Sequence, residues 1–182
     1  MDRILVASSN DKATAMLVSL LKETFPACKT SIAATGLETR RAVGSGSYDC
    51  VVINCPLSDE YGNELAEIVC TSTDASCVAI LADKLEDFGV MVIPKPLGRQ
   101  YFYRSMKFVS AARKRMLGIR SENLKLHKKL EEIRTINRAK CSLMQYLGFT
   151  EQQAHKYLEK QAMDKRCTKI EVAQKVIEMY EV

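Results

Sequence analysis

Residues 138–180 read RAKCSLMQYLGFTEQQAHKYLEKQAMDKRCTKIEVAQKVIEMY, and the local signals in this stretch predict three helices. Gly148 follows the first helix, and glycine readily takes the left-handed conformation that ends a helix. Thr150 and Thr168 are each followed three residues later by Gln or Glu, which is the spacing of a capping box at a helix start. We therefore expect three helices joined by tight turns.

Each of the two later helices has one apolar face. On the second helix, Ala154, Leu158 and Ala162 recur at intervals of four, while Lys156 and Lys160 lie on a different face. On the third helix, the residues predicted to be buried are Ile170, Ala173, Ile177 and Tyr180. One face of this region is expected to pack, and another to remain exposed and positively charged.

The stretch from Ala139 to Ile177 resembles a known family, the ANTAR domain, named for the AmiR and NasR transcription antitermination regulators. The likeness rests on Ala-Lys and Leu-Met pairs in the first helix and Glu-x-x-Ala-His in the second. It continues with Ala-Met followed closely by Arg, and with Glu-Val-Ala in the third helix. The resemblance implies a small helical module that binds RNA stem-loops and lets RNA polymerase read through a terminator.

Positive charge is concentrated around the turns between these predicted helices. Sequence-specific RNA recognition usually targets unpaired loop bases, which stack on and hydrogen-bond to side chains while cations hold the flanking phosphates. Tyr146 and His155 offer planar surfaces, whereas Tyr157 is expected in the core. The alternative that any single lysine is an ordinary solvated residue stays open. The predicted RNA-binding residues are Arg138, Lys140, Gln153, Lys156, Lys160, Lys165, Arg166 and Lys169.

The net charge of +5 is unevenly distributed over the 182 residues. Residues 1–98 carry 8 Lys and Arg against 13 Asp and Glu, a balance of −5, whereas residues 99–182 carry 19 against 9, a balance of +10. An acidic N-terminal half and a basic C-terminal half favour a regulatory domain joined to a domain that binds a polyanion. On charge alone, a basic coiled coil without a nucleic-acid partner is the alternative.

The composition also bounds the class of protein. No apolar run reaches the roughly 18 residues of a membrane span, and the first residues lead directly into a strand pattern, so we expect a cytoplasmic protein with no signal peptide. Seven cysteines without a CxxC pair indicate reduced thiols rather than disulfides or zinc ligands. Without a nucleophile and base constellation or a Gly-rich phosphate loop, we expect no enzyme activity, catalytic residue, metal or cofactor.

The first half of the chain alternates strand and helix patterns. This alternation implies a parallel sheet with right-handed crossovers, and hence a doubly wound α/β domain. The five predicted strands lie at residues 3–7, 28–34, 49–54, 76–82 and 90–93. With Lys95-Pro96 after the fifth strand and a helix following it, residues 1–115 resemble the flavodoxin-like receiver domain of two-component response regulators.

The residues that a receiver uses for phosphorylation are replaced. Receivers hold Mg²⁺ with an acidic pair after the first strand and accept phosphate on an aspartate after the third strand. Ser8 and Ser9 stand at the first position, Asn54 stands at the second, and only Lys95 is retained. The resemblance therefore implies a degenerate phosphorylation site and a pseudo-receiver.

Two further features bear on this comparison. Only DKLEDFG stands between Ala82 and Val90, which is shorter than the about 10–12 residues of a whole crossover. Either the fourth crossover helix is reduced to a turn or the sequence lacks a stretch there, and dimerisation through that face is doubtful. The nearby carboxylates that are not expected to replace the missing aspartate are Asp11, Asp49, Asp59 and Glu60.

From Gly98 to Gly148 the only helix-breaking residue is Gly118, which a long helix tolerates at a cost near 1 kcal/mol. Heptad positions counted from Val109 are mostly apolar. An asparagine at an a position pairs with its symmetry mate and favours a parallel dimer. A helix packed within a monomer is the alternative. The predicted dimerisation residues are Met116, Ile119, Asn123, Leu126, Leu130, Ile133 and Asn137.

Together these features predict a pseudo-receiver at residues 1–115, a coiled-coil dimerisation helix at 109–137 and a three-helix ANTAR RNA-binding domain at 138–182. The predicted function is a homodimeric antiterminator that binds tandem stem-loops in mRNA leaders and so excludes the terminator hairpin. RNA polymerase or a regulatory protein is a further candidate partner. A helix-turn-helix-like DNA-binding regulator and a dimeric signalling adaptor remain alternatives.

Overall fold

A computed structural model describes residues 1–82 and 89–180 of the chain. The chain divides into two compact units, Met1–Met116 and Leu117–Val182. A single helix, α4 (Arg99–Leu147), begins in the first unit and ends in the second. The predicted shortening of the fourth crossover concerns residues 83–88, which lie outside the described residues.

The first unit is built on a parallel sheet with the strand order β2-β1-β3-β4-β5. Ile4 of the first strand lies beside Thr30 on one side and Cys50 on the other, so β1 is paired along both edges. This order is that of the flavodoxin-like doubly wound fold, and the predicted fold class is confirmed. The strands are β1 (Arg3–Ala7), β2 (Lys29–Ala33), β3 (Cys50–Asn54), β4 (Ser76–Leu81) and β5 (Met91–Pro94).

Helices cover both faces of this sheet. On one face, α1 (Asp11–Thr24) and the first turns of α4 bury Leu17 and Phe102 against the strands. On the other face, α2 (Gly36–Ser45) and α3 (Asn63–Ser72) pack against a second apolar cluster. The central strands are apolar on both sides because helices remove both of their faces from water.

Alternation along each strand divides the core into these two clusters. In β1, Ile4 and Val6 belong to the α1 and α4 side, whereas Leu5 and Ala7 belong to the α2 and α3 side. All four side chains are buried. Consecutive positions of β1 are apolar because helices cover both faces of the sheet, as expected for a central parallel strand.

Asp49 joins three segments at the amino end of the sheet. Its carboxylate accepts hydrogen bonds from the backbone N–H of Asp2 (2.5 Å) and of Arg3 (3.2 Å), and it pairs with the Arg113 guanidinium at 3.0 Å. Arg113 also donates to the carbonyl of Asp74. Burial opposes the charge on Asp49, but these hydrogen bonds and the Arg113 charge outweigh it and hold the pKa of the carboxyl below its ordinary value.

The second unit contains the end of α4 followed by α5 (Glu151–Asp164) and α6 (Lys169–Tyr180). Gly148 has a φ of +66°, which confirms the predicted left-handed helix end. Both predicted capping boxes form, since the hydroxyls of Thr150 and Thr168 each accept a backbone N–H bond at 3.3 Å from the residue three positions on. Among the described helices, none combines the length and the apolar composition that a membrane span needs.

Arg113→Leu is expected to lower the free energy of unfolding by about 1–3 kcal/mol, because it leaves the half-buried Asp49 carboxylate without its charged partner. The folded pKa of Asp49 lies below its unfolded value. This stabilisation is therefore fully present above an unfolded pKa of about 3.9 and is lost as pH falls through the folded pKa. Thermal unfolding at neutral pH and at about pH 3 measures it, and the difference from wild type should narrow in acid.

The matched control is Arg115→Leu, which changes an exposed arginine of the same helix. This variant should unfold like the wild type at both pH values. Equal losses of stability in the two variants would contradict the role assigned to the Asp49–Arg113 pair.

Candidate functional site

The second unit is held together by a small core of its three helical segments. Alanines at the contact allow the helices to approach closely, and the predicted burial on α5 is confirmed. The buried apolar residues are Ala139, Leu143, Ala154, Leu158, Ala162, Val172, Ala173 and Val176.

The prediction for the last helix was partly wrong. Ile170, Ile177 and Tyr180 are only half-buried, whereas Val172 and Val176 are buried. The helix is thus turned from the predicted orientation toward the face that carries both valines. Both stripes have helical spacing, and only the packing against α4 and α5 selects between them.

Lys156 and Lys160 lie one helical turn apart on α5, and both are exposed. Within the described ranges 1–82 and 89–180, neither makes an ion pair. The face predicted to be positive is therefore open to an anion.

Lys165 and Arg166 form the turn that ends α5. The N–H of Cys167 donates to the Ala162 carbonyl at 3.0 Å, and the N–H of Arg166 donates to the Met163 carbonyl at 3.2 Å. This pair of bonds is a Schellman motif, and Arg166 occupies its left-handed position with a φ of +49°. Glycine usually stands there, because a side chain in this conformation costs roughly 1–2 kcal/mol.

Two predicted RNA-binding cations are engaged in ion pairs instead. Lys140, with 15% of its side chain exposed, pairs with Glu151 at 2.9 Å. Lys169 pairs with Glu159, which also lies 3.3 Å from His155 Nε2. These lysines hydrogen-bond to the two carboxylates and hold their pKa values below the ordinary range. Lys140 thus joins α4 to α5, and Lys169 joins α6 to α5.

The last two residues of the predicted set lie apart from the others. The Gln153 side chain accepts the Thr150 N–H at 2.8 Å, so its carbonyl oxygen serves the capping box. Arg138 lines a groove of about 380 Å³ together with Gln174 and Glu178 of α6. The structure therefore brings four members of the set together on α5 and its end, namely Lys156, Lys160, Lys165 and Arg166.

The second unit also contains two pairs of aromatic rings in contact. Tyr146 stacks on Tyr180 with 5.4 Å between ring centroids and an angle of 16°. Tyr157, which was predicted in the core, is 36% exposed and meets Phe149 edge-on at 5.8 Å. The prediction for Tyr157 was wrong because the stripe of small residues packs without it. The Tyr146–Tyr180 stack was missed, since it joins two segments far apart in sequence.

At the carboxyl edge of the sheet, the four residues of the predicted degenerate phosphorylation site form hydrogen bonds with neighbouring groups. Asn54 Nδ2 donates to Ser8 Oγ at 3.1 Å. Ser9 Oγ donates to the Ala34 carbonyl at 2.6 Å and accepts the Ser58 N–H at 2.8 Å. Lys95 Nζ donates to the Cys55 carbonyl. Polar groups at this edge thus satisfy one another.

The carboxylates near that edge are also occupied. Asp59 accepts the N–H of Gly36 at 2.8 Å and of Leu37 at 3.1 Å, which caps α2 and lowers the pKa of the Asp59 carboxyl. Glu60 pairs with Arg40, with Nη2 and Oε2 2.8 Å apart. These contacts give both residues a structural role in holding α2 to the loop after β3.

The middle of α4 carries an apolar stripe that no element covers among the residues described by the structure. Every residue from 114 to 131 is exposed. Among the predicted dimerisation residues, Leu126, Leu130 and Ile133 have 53%, 52% and 55% of their surface exposed. A single chain therefore leaves this stripe in water.

Residues 124–177 match the ANTAR domain family. This family is an RNA-binding antitermination family, and the match begins within α4, before the predicted boundary at residue 138. It includes all eight predicted RNA-binding residues. No curated protein matches the chain.

The first unit is similar in structure to solved receiver domains. A two-component response regulator from Clostridium difficile is 19% identical over 61% of this chain and 97% of that chain, with a TM-score of 0.54. The signal receiver domain of an HD domain-containing protein from Pseudomonas fluorescens Pf-5 is 15% identical over 64% and 92%, with a TM-score of 0.57. TrrA from Thermotoga maritima is 23% identical over 60% and 99%, with a TM-score of 0.53. The structural similarity, at these low sequence identities, shows a receiver-like fold.

Arg166→Gly is expected to raise the free energy of unfolding by about 0.5–1 kcal/mol, because glycine takes the left-handed position without steric cost. Chemical denaturation of the full chain measures this change. Lys165→Gly is the matched control, since Lys165 has an ordinary helical φ of −89° and its replacement should lower stability. A loss of stability in both variants would show that the left-handed conformation of Arg166 carries no strain.

Proposed function

We propose that this chain, which carries an ANTAR domain at residues 124–177 behind a receiver-like domain, is an RNA-binding transcription antiterminator. In this proposal a homodimer acts in the cytoplasm and holds two tandem stem-loops of an mRNA leader. The overlapping terminator hairpin then cannot form, and RNA polymerase continues. Both families are regulatory rather than catalytic, which supports a role without enzyme activity.

The open cationic surface on α5 is the observation that carries this proposal. Lys156, Lys160, Lys165 and Arg166 are exposed, and none forms an ion pair within the part of the chain that the structure describes. Unpaired cations on a rigid helix suit the phosphates that flank a hairpin loop. Lys140 and Lys169 support the surface indirectly, because their ion pairs fix α5 between its neighbours.

The strained backbone at Arg166 adds a second line of support. A non-glycine residue in the left-handed region is uncommon, and such positions cluster at functional sites. An arginine there carries a planar guanidinium that donates to phosphate or to a base edge. We propose that Arg166 is retained for this contact rather than for stability.

The exposed stripe of α4 supports the dimer. A solitary helix is only marginally stable in water, and every residue from 114 to 131 is exposed when residues 1–82 and 89–180 are considered. A second copy in parallel would cover Leu126 and Leu130 and bring Asn123 beside its counterpart. The dimer would present two ANTAR domains to two stem-loops.

We propose further that phosphorylation does not control this chain. Asn54 stands where a receiver carries its phospho-acceptor, and its amide is hydrogen-bonded to Ser8. Asp59 and Glu60 serve α2 and its loop. Control would then come from a partner protein, a ligand or the abundance of the protein itself.

A DNA-binding regulator is the second candidate, because α5 and α6 are joined by the four residues 165–168, the length of a helix-turn-helix connection. Binding of the full chain to a hairpin RNA and to duplex DNA, each at several salt concentrations, separates the two candidates. Preference for the hairpin at physiological salt supports the antiterminator. Equal or tighter binding to duplex DNA would overturn it, and no binding to either would favour a signalling adaptor.

The double variant Lys156→Ala/Lys160→Ala is expected to weaken hairpin binding by roughly tenfold or more, because it removes two phosphate contacts. The negative slope of log affinity against log salt concentration should become shallower by about two units, one for each lysine removed. Fluorescence anisotropy with a labelled hairpin measures both quantities.

The control is Lys175→Ala, which removes an exposed cation from α6 in the same unit. It is compared with the single variant Lys160→Ala, so that each variant loses one exposed lysine. Lys175→Ala should bind like the wild type, and the melting temperatures of all variants should agree. Unchanged binding in the double variant would place the RNA site elsewhere.

Leu126→Glu is expected to convert the dimer to a monomer, because it buries a charge at a d position of the coiled coil. Leu124→Glu is the matched control. Leu124 is the same residue type on the same helix and is 64% exposed, but it lies outside the a and d positions. Sedimentation velocity should find a dimer for the wild type and for Leu124→Glu. A monomeric wild type, or the same behaviour in both variants, would contradict the proposed interface.

A further inference from the structure

A cleft of about 720 Å³ opens at the carboxyl edge of the sheet. It is lined by α1, by the ends of β3 and β4 and by the segment that joins β5 to α4. Leu17 and Ile80 are its buried apolar residues, while Met16, Pro96 and Leu97 add apolar surface that is more exposed. Ligand sites in proteins are commonly apolar clefts of about 300–1,000 Å³ with a few polar groups. The size and the lining of this cleft are therefore those of a small-molecule site.

Lys95 supplies the charge of this cleft, which we call the Lys95 cleft. No carboxylate lines it among residues 1–82 and 89–180, and within those residues Lys95 makes no ion pair. Its ammonium group donates one hydrogen bond to the Cys55 carbonyl, which leaves its other N–H donors and its positive charge for a ligand. The cleft is therefore suited to an anion.

Neutral side chains stand around this cation. Asn54 also lines the cleft, and its amide donates to the hydroxyl of Ser8 at 3.1 Å. The nearby acids are engaged elsewhere, since Asp59 accepts N–H groups at the start of α2 and Glu60 pairs with an arginine of α2. A cation that faces an otherwise neutral and apolar cleft favours a monoanion with an apolar body.

Three other clefts lack this combination. The cleft at the amino end of the sheet contains Asp49 and Arg113, which already pair at 3.0 Å. The groove beside α6 contains Glu178. The cleft between α1 and the start of α4 contains Glu23 and Arg99, which pair at 2.7 Å. The Lys95 cleft differs from these three in having a cation without a carboxylate.

We propose that the Lys95 cleft binds a small organic carboxylate with an aliphatic body. The carboxylate pairs with the Lys95 ammonium group, and the body covers the apolar side chains of Met16, Leu17 and Leu97. The described lining contains no aromatic ring on which a flat ligand would stack, which favours an aliphatic body.

The Lys95 cleft adjoins the start of α4. Leu97 lines it and packs against the core shared by α1 and α4, and the Gly98 carbonyl accepts the Phe102 N–H at 2.8 Å in the first turn of α4. A bound carboxylate would therefore contact the segment from which α4 begins. Control of the antiterminator through this contact rests on the proposed function, whereas binding to the cleft does not.

Methyl NMR of the full chain, with ¹³C in its methionine methyl groups, tests the proposal because Met16 lines the cleft and is 45% exposed. Hexanoate is titrated to about 10 mM, a range that suits so small a ligand. The Met16→Leu variant assigns the signal. Hexanoate should shift the Met16 signal until it saturates. Met163 and Met179, which are exposed in the second unit, should not respond.

Comparison ligands separate the charge from the apolar body. Hexanamide and hexylamine lack the negative charge, acetate lacks the body, and each should bind roughly tenfold or more weakly than hexanoate. Equal binding of hexanamide would show an apolar surface only, and binding of inorganic phosphate but not of hexanoate would show an anion site only. Either result would refute the proposal. A Met16 signal that does not respond, or responds no more than those of Met163 and Met179, would refute it as well.

Variants of the lining test the role of charge. Lys95→Met keeps an apolar side chain without the ammonium group, so hexanoate should bind roughly tenfold or more weakly while hexanamide is unaffected. Asn54→Asp adds a carboxylate of nearly the same shape and should weaken hexanoate while strengthening hexylamine. The matched control, Lys12→Met, removes an exposed lysine of α1 that does not line the cleft and should bind hexanoate like the wild type. Unchanged hexanoate binding in Lys95→Met, or in Asn54→Asp, would contradict the proposed pairing.

These measurements need no RNA, so the site and the proposed function fail separately. A chain that binds hexanoate at Met16 but binds no hairpin would refute the antiterminator and retain the site. A chain that binds the hairpin while its Met16 signal ignores hexanoate would refute the site alone.

Discussion

The second half of the chain depends on α4 being one uninterrupted helix. Its start buries Phe102 and Met106 in the core beneath the sheet, and its end buries Ala139 and Leu143 in the core of the ANTAR domain. A helix in water needs tertiary packing for most of its stability, yet residues 114–131 of α4 are exposed in the part of the chain that the structure describes. The stripe is exposed because α4 contributes its two ends to separate cores and leaves its middle unpacked. In the proposed dimer, a second copy of the chain buries this stripe.

At the carboxyl edge of the receiver-like sheet, Ser8, Ser9 and Asn54 stand where the resemblance to receivers places carboxylates. Clustered carboxylates repel one another unless a cation holds them. Ser8 and Asn54 are neutral and hydrogen-bond directly, so the polar groups at this edge are satisfied by the protein alone. The nearby acids Asp59 and Glu60 contact α2 instead. Asp59 accepts hydrogen bonds from two backbone N–H groups at the start of α2. The contacts at this edge are structural, which is consistent with the proposal that something other than phosphorylation controls the chain.

Positive charge in the ANTAR domain has two separate uses. Lys140 and Lys169 pair with carboxylates of α5, and these contacts set the positions of the helices. Lys156 and Lys160 lie on the open face of α5. The same residue type is thus structural at one position and available at another, and the difference is set by whether a carboxylate of a neighbouring helix lies within reach. Arg166 combines both uses, because its backbone forms the turn that ends α5 while its side chain remains exposed.

The sequence alone determined most of the elements and the caps around Gly148, Thr150 and Thr168, because periodicity, capping boxes and a helix-ending glycine act over a few residues. The likeness to the ANTAR domain also came from residues that stand close together, whereas the likeness to a receiver came from the alternation of strands and helices over residues 1–115. Only the tertiary structure decided which face of α6 is buried, that Lys140 and Lys169 are paired and that Arg166 takes the left-handed position. These outcomes depend on how segments distant in sequence, or alternative faces of one helix, fit against each other, and spacing along the chain does not encode that fit.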